Sequence, residues 1–445
     1  MRLAGLFLAA ALGFAATPSL SAQTYYIVNT DPANLNDVLA NHSLALSNVI
    51  RTGIYRVSGP PDQTQDQVVS SLNADPEVNN AEADQPINTP ESQAPTASVP
   101  SLSQLAGALS DNSTLSYYGA MVRGAYVNQQ AGSVIEMLQA QAQFGAGSAV
   151  VAVIDTGVDP THPALSGSLV AGYDFTRNLP GSASELLDVD PNTSAALSQS
   201  TVAILEQENS PVILNQSTVA ILEQSTVAIL EGANLPHDFG HGTMVSGLIH
   251  LVAPGAQIMP LKAFGADGSS QLSNIIQAVY YAADNGANVI NMSFSMTTQS
   301  PEFEAAIDYA QSLGVICIAA AGNDGANETL YPAGSDSVIG VGSTNMADLR
   351  SVFSNYGSSV DVAAPGEALI TTYPGNNYAG VWGTSFSSAL VAGTVALMSQ
   401  IKPNLNIGTV MNALYQGKSI HQMMGRRLDE IPTLMYLLFS GQQEH

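Results

Sequence analysis

Four short segments carry residue types that could perform nucleophilic chemistry together. Asp155 follows the apolar run Ala149-Val-Val-Ala-Val-Ile154 and precedes Thr156-Gly157. His241 lies in Asp238-Phe-Gly-His-Gly-Thr-Met-Val-Ser-Gly-Leu-Ile249, and Asn323 in Ala319-Ala-Ala-Gly-Asn-Asp324. Ser385 lies in Trp382-Gly-Thr-Ser-Phe-Ser-Ser-Ala-Leu-Val-Ala-Gly-Thr394. A serine hydroxyl attacks a carbonyl when an imidazole takes its proton and a carboxylate fixes the imidazole tautomer. N–H donors then hold the charge that develops on the carbonyl oxygen. Each segment alone has a plainer reading. Gly-Thr-Ser before an apolar run is an ordinary helix start, Asp before Thr-Gly and Asn beside Gly are ordinary turns, and a lone histidine is most often a polar packing residue.

The elements around these segments would bring them together. Continuous apolar runs recur at Ile258 to Ala263, Val289 to Met292, Val315 to Ala320, Val338 to Val341 and Val360 to Ala363. Helical stretches such as Leu272 to Asn285 and Phe303 to Leu313 separate them. Buried strands alternating with helices predict an α/β fold, a doubly wound parallel sheet covered on both faces. In such sheets ligand sites form just beyond the carboxyl ends of the strands, and all four residues fall at a strand end or a helix start. Before this region, residues 23–85 read as β-α-β-β-α-β, a small ferredoxin-like α+β unit. Residues 86–113 are rich in Pro, Ser and Thr and read as a linker.

Taken in order, VAVIDTGVDPTHP, HGTMVSGLI, AAAGNDG and GTSFSSALVAG resemble the motifs of the subtilisin-like serine proteases, over roughly residues 120 to 400. The resemblance implies that Asp155 orients the imidazole, that His241 is general base and then acid, and that Ser385 is the nucleophile. Asn323 and the Ser385 backbone N–H would hold the oxyanion. It implies substrate-binding edges at Gly268 and Ser269, and at Ser293, Phe294 and Ser295. Ala320, Ala321 and Gly322 would complete the walls of the pocket beside the scissile bond. The α+β unit would be an inhibitory propeptide and 114–435 the catalytic domain, with a tail at 436–445. Met244 stands where the family often has a second histidine. Ser295 stands where it usually has glycine, which would crowd a bound peptide. No cofactor is required for this chemistry. Structural calcium follows from the resemblance alone, with no contiguous ligand loop in the sequence. A second reading stays open: a catalytically silent binding or scaffold protein on the same fold.

The bulk properties narrow the partners. The chain has 445 residues, 45% of them apolar and 11% charged, which fits a globular protein and not a disordered one. A net charge of −25 repels phosphate backbones and argues against nucleic acid as a partner. Polypeptide substrates, the chain's own propeptide and a monomeric state are expected. Arg2, the apolar run from Leu3 to Ala16 and the small residues up to Ala22 have the layout of a signal peptide at 1–22, so a secreted protein is expected. That run is too short to span ~30 Å of hydrocarbon, so no membrane span is expected. Cys317 is the only cysteine and reads as a buried packing residue. The octad QSTVAILE occurs three times within 199–231, which reads as a short stacked or hairpin insertion between Asp155 and His241.

Overall fold

The computed structural model describes residues 23–89, 113–181, 183–193, 235–420 and 423–440, and the strands Val212–Ile213 and Val219–Ile221. The signal-like segment at 1–22 and most of the linker lie outside these residues, as do the first and third octads.

A sheet of ten strands forms the centre of the molecule. Its order is Leu179–Pro180, Tyr173–Asp174, Gln257–Lys262, Val150–Asp155, Val289–Met292, Ile316–Ala320, Val338–Thr344, Val362–Pro365, Arg426–Arg427 and Lys418–Ser419. The inner pairings are parallel, and only the two outermost strands join antiparallel. Val289–Met292 and Val338–Thr344 are buried at every position, the pattern of strands covered on both faces. One apolar cluster packs the helices Leu272–Asp284 and Pro301–Ser312 against one face. A second packs His241–Val252 and Thr384–Ile401 against the other. Cys317 is buried within the first cluster, and burial pushes its thiol up to about 12, so it is packing and not a nucleophile.

Thr384–Ile401 runs through the core, buried from Thr384 to Met398. Small residues make this possible: a Cβ on Gly393 would lie 2.6 Å from Val252 Cβ. The helix is long and apolar enough to cross a membrane by length and composition, but 83% of it is buried inside the protein, as expected of a core helix.

The N-terminal unit follows the expected order. Its antiparallel sheet runs Ala45–Arg51, Ile54–Ser58, Tyr25–Thr30, Val78–Ala83, with the helices Leu35–Asn41 and Gln65–Asn73. One face of the sheet makes the unit's own core through Tyr26, Val28 and Val57. The other face carries Ile27, Ile50 and Ile54 into the apolar cluster around Leu272–Asp284. A sheet with two buried faces needs a cover on each, and here the large domain supplies the second.

Two boundaries differ from the sequence reading. The 86–113 segment is not linker throughout, because Pro86–Asn88 is a strand paired with Ser269–Gln271; composition could not reveal a partner so far along the chain. The 436–445 tail begins as helix, since Glu430–Ser440 continues into it. In the octad region, Val212–Ile213 and Val219–Ile221 pair antiparallel, and Val219–Ile221 adds to the edge strand Asn377–Val381. Part of the second octad thus extends a small sheet on the large domain.

Candidate active site

Asp155 is the last residue of Val150–Asp155, and His241 is the first of His241–Val252. The hydrogen bond between His241 Nδ1 and Asp155 Oδ1 is 2.7 Å long, and both side chains are buried. The same oxygen accepts the Thr156 N–H at 2.7 Å, which fixes the carboxylate plane. Close approach of the two segments requires Gly242, where a Cβ would lie 1.9 Å from the Gly157 carbonyl oxygen.

Ser385 sits in the first turn of Thr384–Ile401, where Gly383 and not the serine is the N-cap. The hydroxyl is therefore not spent on capping. The next residue, Phe386, packs its ring 5.5 Å from the His241 imidazole, so the two helix starts face each other. Asn323 Oδ1 accepts from Thr384 N and from Thr384 Oγ1, each at 2.9 Å. With the oxygen engaged there, the amide presents its nitrogen end as the donor. Gly322 takes φ +105° directly before it, and a Cβ would lie 2.6 Å from Asn355 Nδ2. All four sequence candidates therefore share one rim of the sheet.

The substrate-edge candidates divide into two groups. Gly268, Ser269 and Ser295 line a groove that a segment of the N-terminal unit fills. Asn88 pairs with Ser269 and bridges antiparallel to Ser295, and Thr89 N donates to Gly268 O at 3.0 Å. Ser295 thus accommodates an extended chain and does not crowd it, because pairing uses its backbone. The other candidates turn inward. Phe294 is fully buried, 5.3 Å from the Phe264 ring and 6.2 Å from Phe303. Ser293 Oγ accepts from Asn291 Nδ2 and donates to Ser385 O, supporting the Ser385 turn from beneath. Ala320 and Ala321 are fully buried, and Gly322 N donates to Thr384 Oγ1. Phe294, Ala320 and Ala321 can border a pocket only through their backbone, since their side chains are core.

Sequence reasoning missed Glu185 and Lys262. Glu185 is wholly buried behind the Asp155–His241 pair. Its Oε2 accepts from Thr156 Oγ1 and Gly240 N, each at 3.0 Å, and its Oε1 shares a short hydrogen bond with Thr243 Oγ1. One side chain therefore ties the turn after Asp155 to both sides of His241. Lys262 Nζ, also buried, donates to Thr156 O, Phe264 O and Asp188 Oδ2. Glu185 sits in no recognisable motif, and Lys262 only opens the stretch 262–270 that resembles a substrate-binding edge. The available signal was an acidic residue directly before Leu186 and Leu187, and a lysine ending an apolar strand.

Burial pushes the Glu185 carboxyl up to about 8, so it is uncharged at neutral pH. Glutamine imitates that protonated form, with one acceptor and one donor end. An unfolded carboxyl titrates near ~4.3. From there to about pH 8 the folded chain holds a proton that the unfolded chain has lost, so stability falls as pH rises through this window. Glu185→Gln should match the parent near pH ~5 and exceed it in melting temperature at pH ~9. Glu185→Ala leaves several buried donors unsatisfied and should cost about 3 kcal/mol or more. Thermal unfolding of the parent and both variants across this pH range measures both.

Among the described residues no group of three or more His, Cys, Asp or Glu side chains could hold a metal ion.

A doubly wound sheet with an Asp–His pair, a serine at a helix start and an anchored asparagine on one rim defines a known class. The profile of the subtilase family matches residues 147–424, and the chain belongs to that family. Among its relatives, the thermophilic serine proteinase of Bacillus sp. strain AK1 is 37% identical over 264 residues, covering 59% of this chain and 55% of that protein. Subtilisin BL of Lederbergia lenta is 39% identical over 184 residues, 39% of this chain and 68% of that protein. The chain thus spans about half the length of the first relative and two thirds of the second. A solved structure, fervidolysin from Fervidobacterium pennivorans, described as a keratinolytic enzyme related to subtilisin, superposes with a TM-score of 0.67 at 20% identity. That match covers 94% of this chain and 62% of the other, and it speaks for the fold.

Proposed function

We propose that the protein is a serine endopeptidase, exported and made as a precursor that its own N-terminal unit inhibits. The observation that carries this reading is the buried 2.7 Å Asp155–His241 bond facing the first turn that holds Ser385. In the reaction, His241 takes the Ser385 proton while its Nδ1–H stays on Asp155. The Ser385 oxygen attacks the scissile carbonyl carbon, and the carbonyl oxygen becomes an anion held by the Asn323 amide and the Ser385 N–H. The start of a long helix favours negative charge at that point. The imidazolium then gives its proton to the leaving amine, and the peptide bond breaks to an acyl-enzyme. Water, deprotonated by His241, hydrolyses that ester and restores the serine. Calcium, implied only by family likeness, has no assigned ligands and no role in these steps.

The Pro86–Asn88 strand supports inhibition in cis. It fills the groove that an extended substrate would enter as an added strand. The leader up to Ala22 supports export. A fluorophosphonate probe tests the chemistry. Mature protein should be labelled on Ser385 and should degrade unfolded casein, and Ser385→Ala should do neither. An unlabelled, inactive mature protein would favour the silent-scaffold reading, and labelling without casein cleavage would restrict the enzyme to its own propeptide.

A further inference from the structure

We infer that Asp238 selects substrates carrying a β-hydroxyl residue, threonine or serine, at the position that Thr89 occupies in the precursor. The inference rests on the reading of Pro86–Thr89 as a substrate mimic. Thr89 Oγ1 donates to Asp238 Oδ2 at 2.7 Å, and both residues are buried. The other carboxylate oxygen meets His237 Nδ1 at 2.9 Å. Asp238 is fixed by its backbone: its N–H donates to Ala266 O, and its carbonyl accepts the His241 N–H. The carboxylate is therefore a rigid part of the site, three residues before the imidazole, and not a mobile surface acid.

The space around this contact is small. Gly268 faces it with φ +78°, and a Cβ there would lie 1.8 Å from Asp238 Oδ2 and 2.5 Å from Thr89 Oγ1. The same glycine accepts the Thr89 N–H, so the backbone bond and the hydroxyl contact set one register. A valine in place of Thr89 keeps the shape but sets a methyl group against a buried carboxylate, and no donor replaces the hydroxyl. A long basic side chain needs more room than one hydroxyl oxygen occupies.

Cleavage of a peptide pool by mature enzyme, with cut sites read by mass spectrometry, tests this. Threonine and serine should be enriched over valine at one fixed position on the amino side of the cut. Matched peptides built on a cleaved sequence, differing only as Thr or Val there, should differ in kcat/KM by roughly 10- to 100-fold, the worth of a hydrogen bond to a charged group. Asp238→Ala should bring that ratio within about twofold. Because the ratio compares two substrates on one preparation, partial misfolding of the variant does not alter it. Equal cleavage of the pair by the parent enzyme, or a preference for lysine there, overturns the inference. An Asp238→Ala ratio equal to the parent's does so too. A parent that cleaves nothing and resists the fluorophosphonate overturns the peptidase reading itself, and this inference with it. Cleavage and labelling without Thr/Val discrimination overturn this inference alone.

Discussion

Asp155→Asn should leave the fold intact and lower kcat roughly 10⁴-fold, the loss that the same change causes in other Ser-His-Asp triads. The side chain changes by one atom and keeps an oxygen that can accept the Thr156 N–H, now held by Asp155 Oδ1. The charge is lost, so the imidazolium formed during attack has no counter-ion in a buried site. If the amide instead turns its nitrogen toward His241, it presents a donor to Nδ1 and holds the imidazole in the wrong tautomer. Both routes raise the barrier without removing binding contacts, so KM should change little. Steady-state kinetics of the mature variant on a cleaved peptide measures it. A loss smaller than about tenfold would show that Asp155 does not serve His241.

Most of the site was legible because the chemistry fixes both residue type and local element. Asp155 had to close an apolar strand and Ser385 had to open a small-residue helix, and the apolar runs beside them report both. The sheet was legible for the same reason: strands buried on both faces read as unbroken apolar runs. What stayed hidden were contacts between residues far apart in sequence that follow no period. Glu185 supports the His241 turn across a separation of 55 residues to Gly240, from a stretch with no helical or strand pattern. The Pro86–Asn88 strand is three residues long and begins with proline, so its composition says linker. Only its partner Ser269–Gln271 makes it a strand. Phe294, Ala320 and Ala321 have fully buried side chains, so the stretches that the family motif marks are open to a peptide only as backbone.

Removing two carboxylates of the N-terminal unit should release the large domain from inhibition. Asp84 Oδ1 accepts the Ser273 N–H at 2.9 Å and its Oδ2 the Ser273 hydroxyl at 2.9 Å, while Gln85 O accepts the Leu272 N–H. Together they cap Leu272–Asp284, whose own N-cap residue, Gln271, makes no side-chain cap. Glu82 Oε1 accepts from Ser300 Oγ at 2.8 Å and from Glu302 N at 3.0 Å, at the start of Pro301–Ser312. Two helix starts in the large domain thus find acceptors in the N-terminal unit, and each helix dipole favours the negative charge placed there. Hydrogen bonds to charged groups contribute about 1.5–3 kcal/mol each before the entropy of ordering, so the Glu82→Ala, Asp84→Ala pair should weaken docking on the order of 3 kcal/mol, about 100-fold. The two single variants should differ in kind. Asp84 also holds Arg56 of its own unit at 2.6 Å, so its loss loosens that unit internally. Glu82 bonds across the interface, so Glu82→Ala isolates docking. The full-length chain should then show a shorter lag before proteolysis begins. In the Ser385→Ala precursor, amide exchange should rise at Ser273 and Glu302 and stay unchanged along Thr384–Ile401. An unchanged lag with unchanged exchange would mean that the docked strand alone holds the unit in place and that the carboxylates contribute only to the interface's surface charge.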